Sequence, residues 1–206
     1  MRKNIVIQDP KESALIEELS RRSDIKAERI KKLLKLPDLS RTNGSPLKTL
    51  IDKVVQIKEF EDFDDIIIPE IIPTDILFDL FDFAKDHPAR SESDTYYIND
   101  KNVLRTHDTV MWYYYFQDPE IQKRIVNKES IGVFCYGKVY RKDEVDRHHM
   151  NVFHQVGGLY LVPDSKEQLA FEDLKNALSL IVKSLFGENV KYRFTPETFP
   201  YTDPSI

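Results

Sequence analysis

Residues 139–160, VYRKDEVDRHHMNVFHQVGGLY, gather Arg141, Asp143, His149, Phe153 and Gln155 around one connection between two apolar, alternating segments. Three kinds of chemistry compete for this stretch. His148, His149 and His154, with Cys135, are metal-ligating types, but their spacing matches no usual zinc pattern and adjacent histidines on a strand point to opposite faces. A charged hairpin with a purely structural task is the plain alternative. The third reading is an anion site. Arg141 at a strand end offers a planar fork of donors that fits a phosphate. Phe153 and Gln155 share a face, one offering a ring for stacking and the other an amide for hydrogen bonding. Together the three would make a nucleotide site.

The elements that must hold these groups are read from periodicity. Phe134, Tyr136, Lys138 and Tyr140 alternate with Cys135, Gly137, Val139 and Arg141 along one strand. On the return strand Phe153, Gln155, Gly157 and Leu159 share one face, and His154, Val156, Gly158 and Tyr160 the other. Leu174, Ala177, Leu178, Ile181 and Leu185 then mark an amphipathic helix ending at Gly187, followed by a last strand over 190–194. Upstream, apolar spacing predicts helices near 10–22 and 24–36, stopped by Pro37, and another near 47–57. An extended segment over 66–73 leads to Thr74, expected to cap a helix over 75–86 with the stripe Ile76, Leu77, Leu80, Phe81 and Ala84. Short strands are expected over 94–98 and 102–105, and helix from about 109, continued by 119–126. The order gives an α+β layout, with helices on a mostly antiparallel sheet. The basic run from Arg21 to Lys35 is either a solvated helix face or an RNA-touching helix.

Composition sets the outer limits. The 206 residues, 41% hydrophobic and 32% charged, suffice to bury a real core. No apolar run approaches the ~20 residues needed to cross a bilayer, and residues 1–8 lack the apolar region of a signal peptide. The single cysteine, Cys135, fits a reducing compartment, so a cytoplasmic location is expected. A net charge of -5 argues against a surface that grips nucleic acid everywhere, though not against a local basic patch.

The run Arg141-Lys142-Asp143-Glu144-Val145-Asp146, then His149, then Phe153-His154-Gln155 before Gly158, resembles the motif 2 hairpin of class II aminoacyl-tRNA synthetases. More closely, the chain resembles the family of phenylalanyl-tRNA synthetase alpha (catalytic) subunits. His87-Pro88-Ala89-Arg90 with Asp94-Thr95-Tyr96-Tyr97 is similar to the end of that family's motif 1 region, and Leu104-Arg105-Thr106-His107 to its Arg-Thr-His signature. Phe186-Gly187-Glu188, Arg193-Phe194 and the run from Phe199 to Ser205 resemble its substrate-pocket segment. The likeness covers roughly residues 75–206.

The resemblance implies a class II synthetase-like antiparallel sheet flanked by helices, with a short N-terminal helical region over 1–60 and a catalytic core over 61–206. Motif 3 has no counterpart in the sequence, so that core is expected to be incomplete. The implied activity is that of a phenylalanine–tRNA ligase alpha subunit: ATP-dependent formation of phenylalanyl-adenylate and transfer to tRNA(Phe), with Mg2+ carried by the phosphates and a beta subunit completing a heterotetramer. By itself the chain is expected to be inactive, and the alternative is a non-catalytic relative binding nucleotide, amino acid or a partner chain. By matching position, Arg141 faces the α-phosphate, Phe153 stacks on adenine, His149 meets the phosphate tail and Asp143 contacts the nucleotide. His107, Thr109, Gln155, Gly157, Phe199 and Tyr201 match the amino-acid pocket. Two positions depart. Tyr201 stands where Phe is expected, and Gly157 where the family has an acid for the substrate's ammonium. Asp143 and Asp203 are the candidates to replace that acid. No metal-binding residues are expected.

Overall fold

The computed structural model describes residues 2–164 and 169–206. The first helices form where capping residues meet apolar stripes. Strand β1 (Asn4–Val6) leads into α1 (Pro10–Arg21), where the Asp9 carboxylate accepts from the Lys11 N–H at 2.9 Å and Pro10 sits in the first turn. Asp24 caps α2 (Ile25–Leu34) by accepting from Ala27 N–H at 3.0 Å, and Ser45 caps α3 (Pro46–Val55). There follow β2 (Asp64–Ile67), β3 (Ile71–Pro73), α4 (Thr74–Leu77), β4 (Tyr97–Asn99), β5 (Asn102–Leu104), α5 (Met111–Gln117) and α6 (Pro119–Val126). The long strands β6 (Ile131–Tyr140) and β7 (Val152–Leu161), helix α7 (Phe171–Phe186), β8 (Glu197–Phe199) and β9 (Thr202–Ser205) complete the order.

The main sheet runs β1-β2-β6-β7. Its β6–β7 pair is antiparallel along its whole length, from Ile131 opposite Leu161 to Tyr140 opposite Val152. The register sets Val139 against Phe153, Gly137 against Gln155 and Cys135 against Gly157, so the expected faces hold. The β1–β2 and β2–β6 pairings are parallel, a feature absent from the periodicity reading. Smaller sheets are β3-β5-β4 and the β8–β9 hairpin.

Both faces of the main sheet are covered. On one, Ile66, Val133 and Cys135 pack with Phe78, Phe81, Tyr115 and Ile121. On the other, Tyr140 meets Leu19, Ala27 and Ile30 from α1 and α2, and Phe134 meets Val54 of α3 and the Ala177–Ile181–Leu185 stripe of α7. The first 60 residues thus share their cores with the rest of the chain. Asp64, fully buried, ties the first face together: its carboxylate accepts from the Lys3 N–H (2.9 Å), the Tyr115 hydroxyl (2.7 Å) and the Arg124 guanidinium (2.8 Å).

Three expectations are corrected. The helix over 75–86 stops at Leu77, one 3-10 turn follows over Asp79–Phe81, and Asp82 turns left-handed at φ 54°. Carboxylates at Asp79, Asp82 and Asp86 oppose the negative end of a continuing helix dipole, and the aromatic spacing Phe78, Phe81 suits a tighter turn. The stripe divides accordingly, with Leu77 and Phe81 buried but Leu80 exposed. Thr74 is the first helical residue rather than the cap, which is Pro73. The strand over 190–194 is irregular chain, and the terminal pairing forms instead between β8 and β9. Part of the basic run is engaged within the chain, where Arg22 bonds Asp24 and the Ile98 carbonyl, Lys26 pairs with Glu92 and Arg29 donates to Asn151, while Lys32 and Lys35 are exposed.

Candidate functional site

The turn-side ends of β6 and β7 carry the hairpin loop 141–151 out over the segment that follows α2. Asn151 pins this loop by donating to the Arg141 and Asp143 carbonyls, and the Arg141 N–H donates to the Asn151 carbonyl at 3.1 Å. Between loop and segment lies a cavity of about 920 Å³ whose walls include Arg141, Asp143, His149 and Phe153, the four residues expected to meet a nucleotide. The opposite wall is apolar, with Leu33, Leu36, Leu39 and Leu47. The Arg141 guanidinium lies 5.2 Å from the Phe153 ring centroid, and its Nε reaches toward the Thr106 carbonyl at 3.4 Å. His149 is exposed and held by Asp146, whose carboxylate accepts its backbone N–H at 2.7 Å and sits 3.0 Å from Nδ1. Asp146 is correspondingly lowered below the usual carboxylate range, with the His148 N–H the leading cause.

The histidines do not converge with Cys135. His154 accepts from the Leu39 N–H at 3.0 Å and lines the same cavity as His148 and His149, whereas Cys135 is sealed in the core, its thiol pushed up to about 12 by burial.

A second group gathers on the face of β7 shared by Gln155 and Gly157. The Asp108 N–H donates to Gln155 Oε1 at 3.1 Å. The Asp108 carboxylate lies against Gly157 so closely that a Cβ there would stand 2.6 Å from Oδ2. A side chain at 157 would have to displace this carboxylate. Burial pushes Asp108 up to about 6, with Arg105 pulling the other way. Asp108 Oδ2 is buried without a hydrogen-bond partner. Arg105 cannot serve, because its guanidinium is directed to the carbonyls of Ile68, Pro69 and Lys138. Sequence reasoning misses Asp108. A signal exists, since it follows Arg105-Thr106-His107 directly and is the acid nearest that signature, but its contact with Gly157 is purely tertiary.

His107, the residue before Asp108, belongs to an aromatic cluster. His107 is buried with neither ring nitrogen in a well-formed hydrogen bond, and burial lowers it to about 4, leaving the imidazole neutral at pH 7. Tyr201 stacks on His107 at 6.5 Å and meets Phe81 (5.1 Å) and Trp112 (6.0 Å) edge to face. Phe199, exposed, reaches Tyr201 at 6.1 Å. Thr109 is half-buried just before α5, its carbonyl accepting from the Trp112 N–H at 3.0 Å. Asp143 and Asp203 are not among the atoms nearest Gly157; the acid there is Asp108. Thr106, bonded by Arg141 and adjacent to His107, joins the two groups along the chain.

A family model described as the tRNA synthetases class II core domain (F) matches residues 31–206. The phenylalanine–tRNA ligase alpha subunit of Clostridium perfringens is 36% identical over 176 residues, covering 84% of this chain and 48% of that protein. That of Clostridium beijerinckii is 41% identical over 139 residues, covering 66% and 37%. The chain thus spans about half the length, or less, of these curated relatives. Among solved structures, pyrrolysyl-tRNA synthetase from Desulfitobacterium hafniense has the same fold at a TM-score of 0.55 and 19% identity, covering 85% of this chain and 67% of that one.

Proposed function

The chain belongs to the class II tRNA synthetase core family, and on that premise we propose that it forms the catalytic core of a phenylalanine–tRNA ligase alpha subunit. The reaction is attack by the phenylalanine carboxylate on the α-phosphorus of ATP, with pyrophosphate leaving, followed by transfer of the aminoacyl group to tRNA(Phe). The observation that supports it most is the cavity walled jointly by Arg141, Asp143, His149 and Phe153. Negative charge grows on the α-phosphoryl oxygens as the bond to phosphorus forms, and the Arg141 guanidinium stabilises that state more than the ground state. Phe153 stacks on the adenine, His149 meets the phosphate tail, and Asp143 contacts the nucleotide. The amino acid lies along His107, Thr109, Gln155 and Gly157, with Phe199 and Tyr201 against its ring.

Magnesium neutralises phosphate charge in such a reaction. Among the described residues no group of three carboxylate, imidazole or thiol side chains could hold it. Such an ion would be held mostly by the phosphates themselves, and Asp143 is the carboxylate on the cavity wall. That the relatives are alpha subunits supports a beta subunit as partner, in a heterotetramer. Residues 1–60 serve as a helical region that packs into the same cores as residues 61–206, and the protein works in the cytoplasm. No helix among the described residues is long and apolar enough to cross a membrane.

The test is Arg141→Ala in a protein extended to the length of its relatives, assayed by ATP–pyrophosphate exchange. Removing one preorganised donor lowers the rate by about 10²–10³. Exchange near the unsubstituted level would remove Arg141, and with it the hairpin, from the reaction.

A further inference from the structure

We propose that Asp108 is the carboxylate that binds the ammonium group of the amino-acid substrate, working from the loop before α5 onto the bare backbone of Gly157; this rests on the ligase reading above. Four observations converge on it. Asp108 is 8% exposed, and its Oδ2 has no hydrogen-bond partner. A buried carboxylate oxygen left unpaired is expensive to maintain and is explained when a ligand supplies the missing cation. Among the described residues none pairs with it, and the nearest arginine, Arg105, is committed to three backbone carbonyls.

The second observation is spatial. A Cβ at 157 would stand 2.6 Å from Oδ2 and 3.0 Å from Oδ1, so the Asp108 carboxylate occupies the space that a side chain on β7 would need. Asp108 and a longer residue at 157 exclude one another. Third, the Asp108 N–H donates to Gln155 Oε1, fixing the amide beside the carboxylate on the same strand face. A primary ammonium has three donors, and this face offers it a carboxylate and a carbonyl-type acceptor side by side. Fourth, His107, which precedes Asp108, belongs to an aromatic cluster with Phe81, Trp112 and Tyr201, the class of surface on which an aryl group packs. His107, neutral, adds no repelling charge.

The site selects for a primary ammonium joined to an aromatic side chain. The experiment is calorimetry with three probes: L-phenylalanine, 2-phenylethylamine, which keeps the ammonium without the carboxylate, and 3-phenylpropionate, which keeps the carboxylate without the ammonium. Asp108→Asn is expected to weaken both ammonium probes by about tenfold or more, and to change 3-phenylpropionate by less than about twofold. Moving the carboxylate to the strand, in the double variant Asp108→Ala with Gly157→Glu, is expected to restore ammonium binding that Asp108→Ala lacks. Since Asp108→Asn could misfold, the unsubstituted protein gives an independent reading. The carboxyl carbon resonance of Asp108 should titrate at lower pH when 2-phenylethylamine is bound. Equal binding of ammonium probes by Asp108→Asn, an unmoved Asp108 titration, or no binding of either ammonium probe overturns the proposal. Asp108-dependent binding of 2-phenylethylamine without binding of L-phenylalanine supports it and instead refutes phenylalanine as substrate.

Discussion

Replacing Asp108 by asparagine should change how stability depends on pH in a way that no substitution of an exposed polar residue would. In the folded chain Asp108 titrates at about 6 and His107 at about 4, both through burial. The carboxyl's folded pKa lies above its unfolded value of 3.8, so its contribution is full below about pH 4 and is lost as pH rises through 6. Roughly two pKa units at ~1.4 kcal/mol each make this a loss of about 3 kcal/mol. His107 runs the other way. Its folded pKa lies below the unfolded 6.5, so its contribution is present above 6.5 and is lost as pH falls through 4, again about 3 kcal/mol. The charges facing the pair are Arg105, which acts on both, and Arg141, which acts on His107. In the unsubstituted chain the two slopes nearly cancel between pH 4 and 6.5. In Asp108→Asn only the histidine slope remains, so the variant's stability relative to the parent rises by about 3 kcal/mol across that interval. Above pH 7 the variant is the more stable by that amount less the roughly 1–3 kcal/mol for a buried amide without partners. Urea unfolding, followed by the fluorescence of the single tryptophan, Trp112, measures the difference at pH 4.5 and 7.5. Parallel pH profiles for parent and variant would refute the argument.

Three further outcomes are expected. Gly157→Ala should destabilise by about 1–3 kcal/mol, because its Cβ would meet the Asp108 carboxylate at 2.6 Å, and the loss should largely vanish in an Asp108→Ala background; additive losses in chemical denaturation would count against the contact. Asp64→Ala should cost about 3 kcal/mol or more in the same assay, since it leaves Arg124 and Tyr115 facing an emptied, buried position; a change under about 1 kcal/mol would mean the network contributes little. Cys135, 1% exposed with its thiol pushed up to about 12, should resist an aromatic disulfide reagent in the native chain and react fully in urea; rapid native labelling would show that the sheet opens locally.

Much of the hairpin is legible because its information is local. Alternation along 134–141 and 153–160 specifies both strands, and a period of two fixes which side chains share a face once the strands pair. The stripe of α7 and its terminal glycine are local as well: Gly187 adopts φ 92°, and its N–H donates to the Lys183 carbonyl at 2.8 Å. Features set at a distance escape such a reading. Nothing in Asn4-Ile5-Val6 announces that this three-residue strand lies parallel to Asp65-Ile66-Ile67, because its pairing is fixed by Ile5 and Ile66 entering one core. Over 75–86 the helical stripe is real as a pattern, yet three carboxylates work against the helix it implies.

The same distinction separates the two halves of the candidate site. Arg141 and Phe153 flank one turn, so their adjacency follows from the hairpin, and the 5.2 Å stack of guanidinium on ring needs no other element. The half proposed to hold the amino acid is assembled from the loop before α5, from β7 and from the β8–β9 hairpin, and each contributes what the others lack. Gly157 alone looks like the loss of an acid. Asp108 alone looks like a polar residue at a helix approach. Only the close approach of the Asp108 carboxylate to the Gly157 backbone, 2.6 Å from where a Cβ would stand, makes the two one feature. The absent side chain is the condition for the carboxylate being there. Substitutions at 157 and 108 should therefore be coupled by tertiary contact, so that neither position can be interpreted without the other.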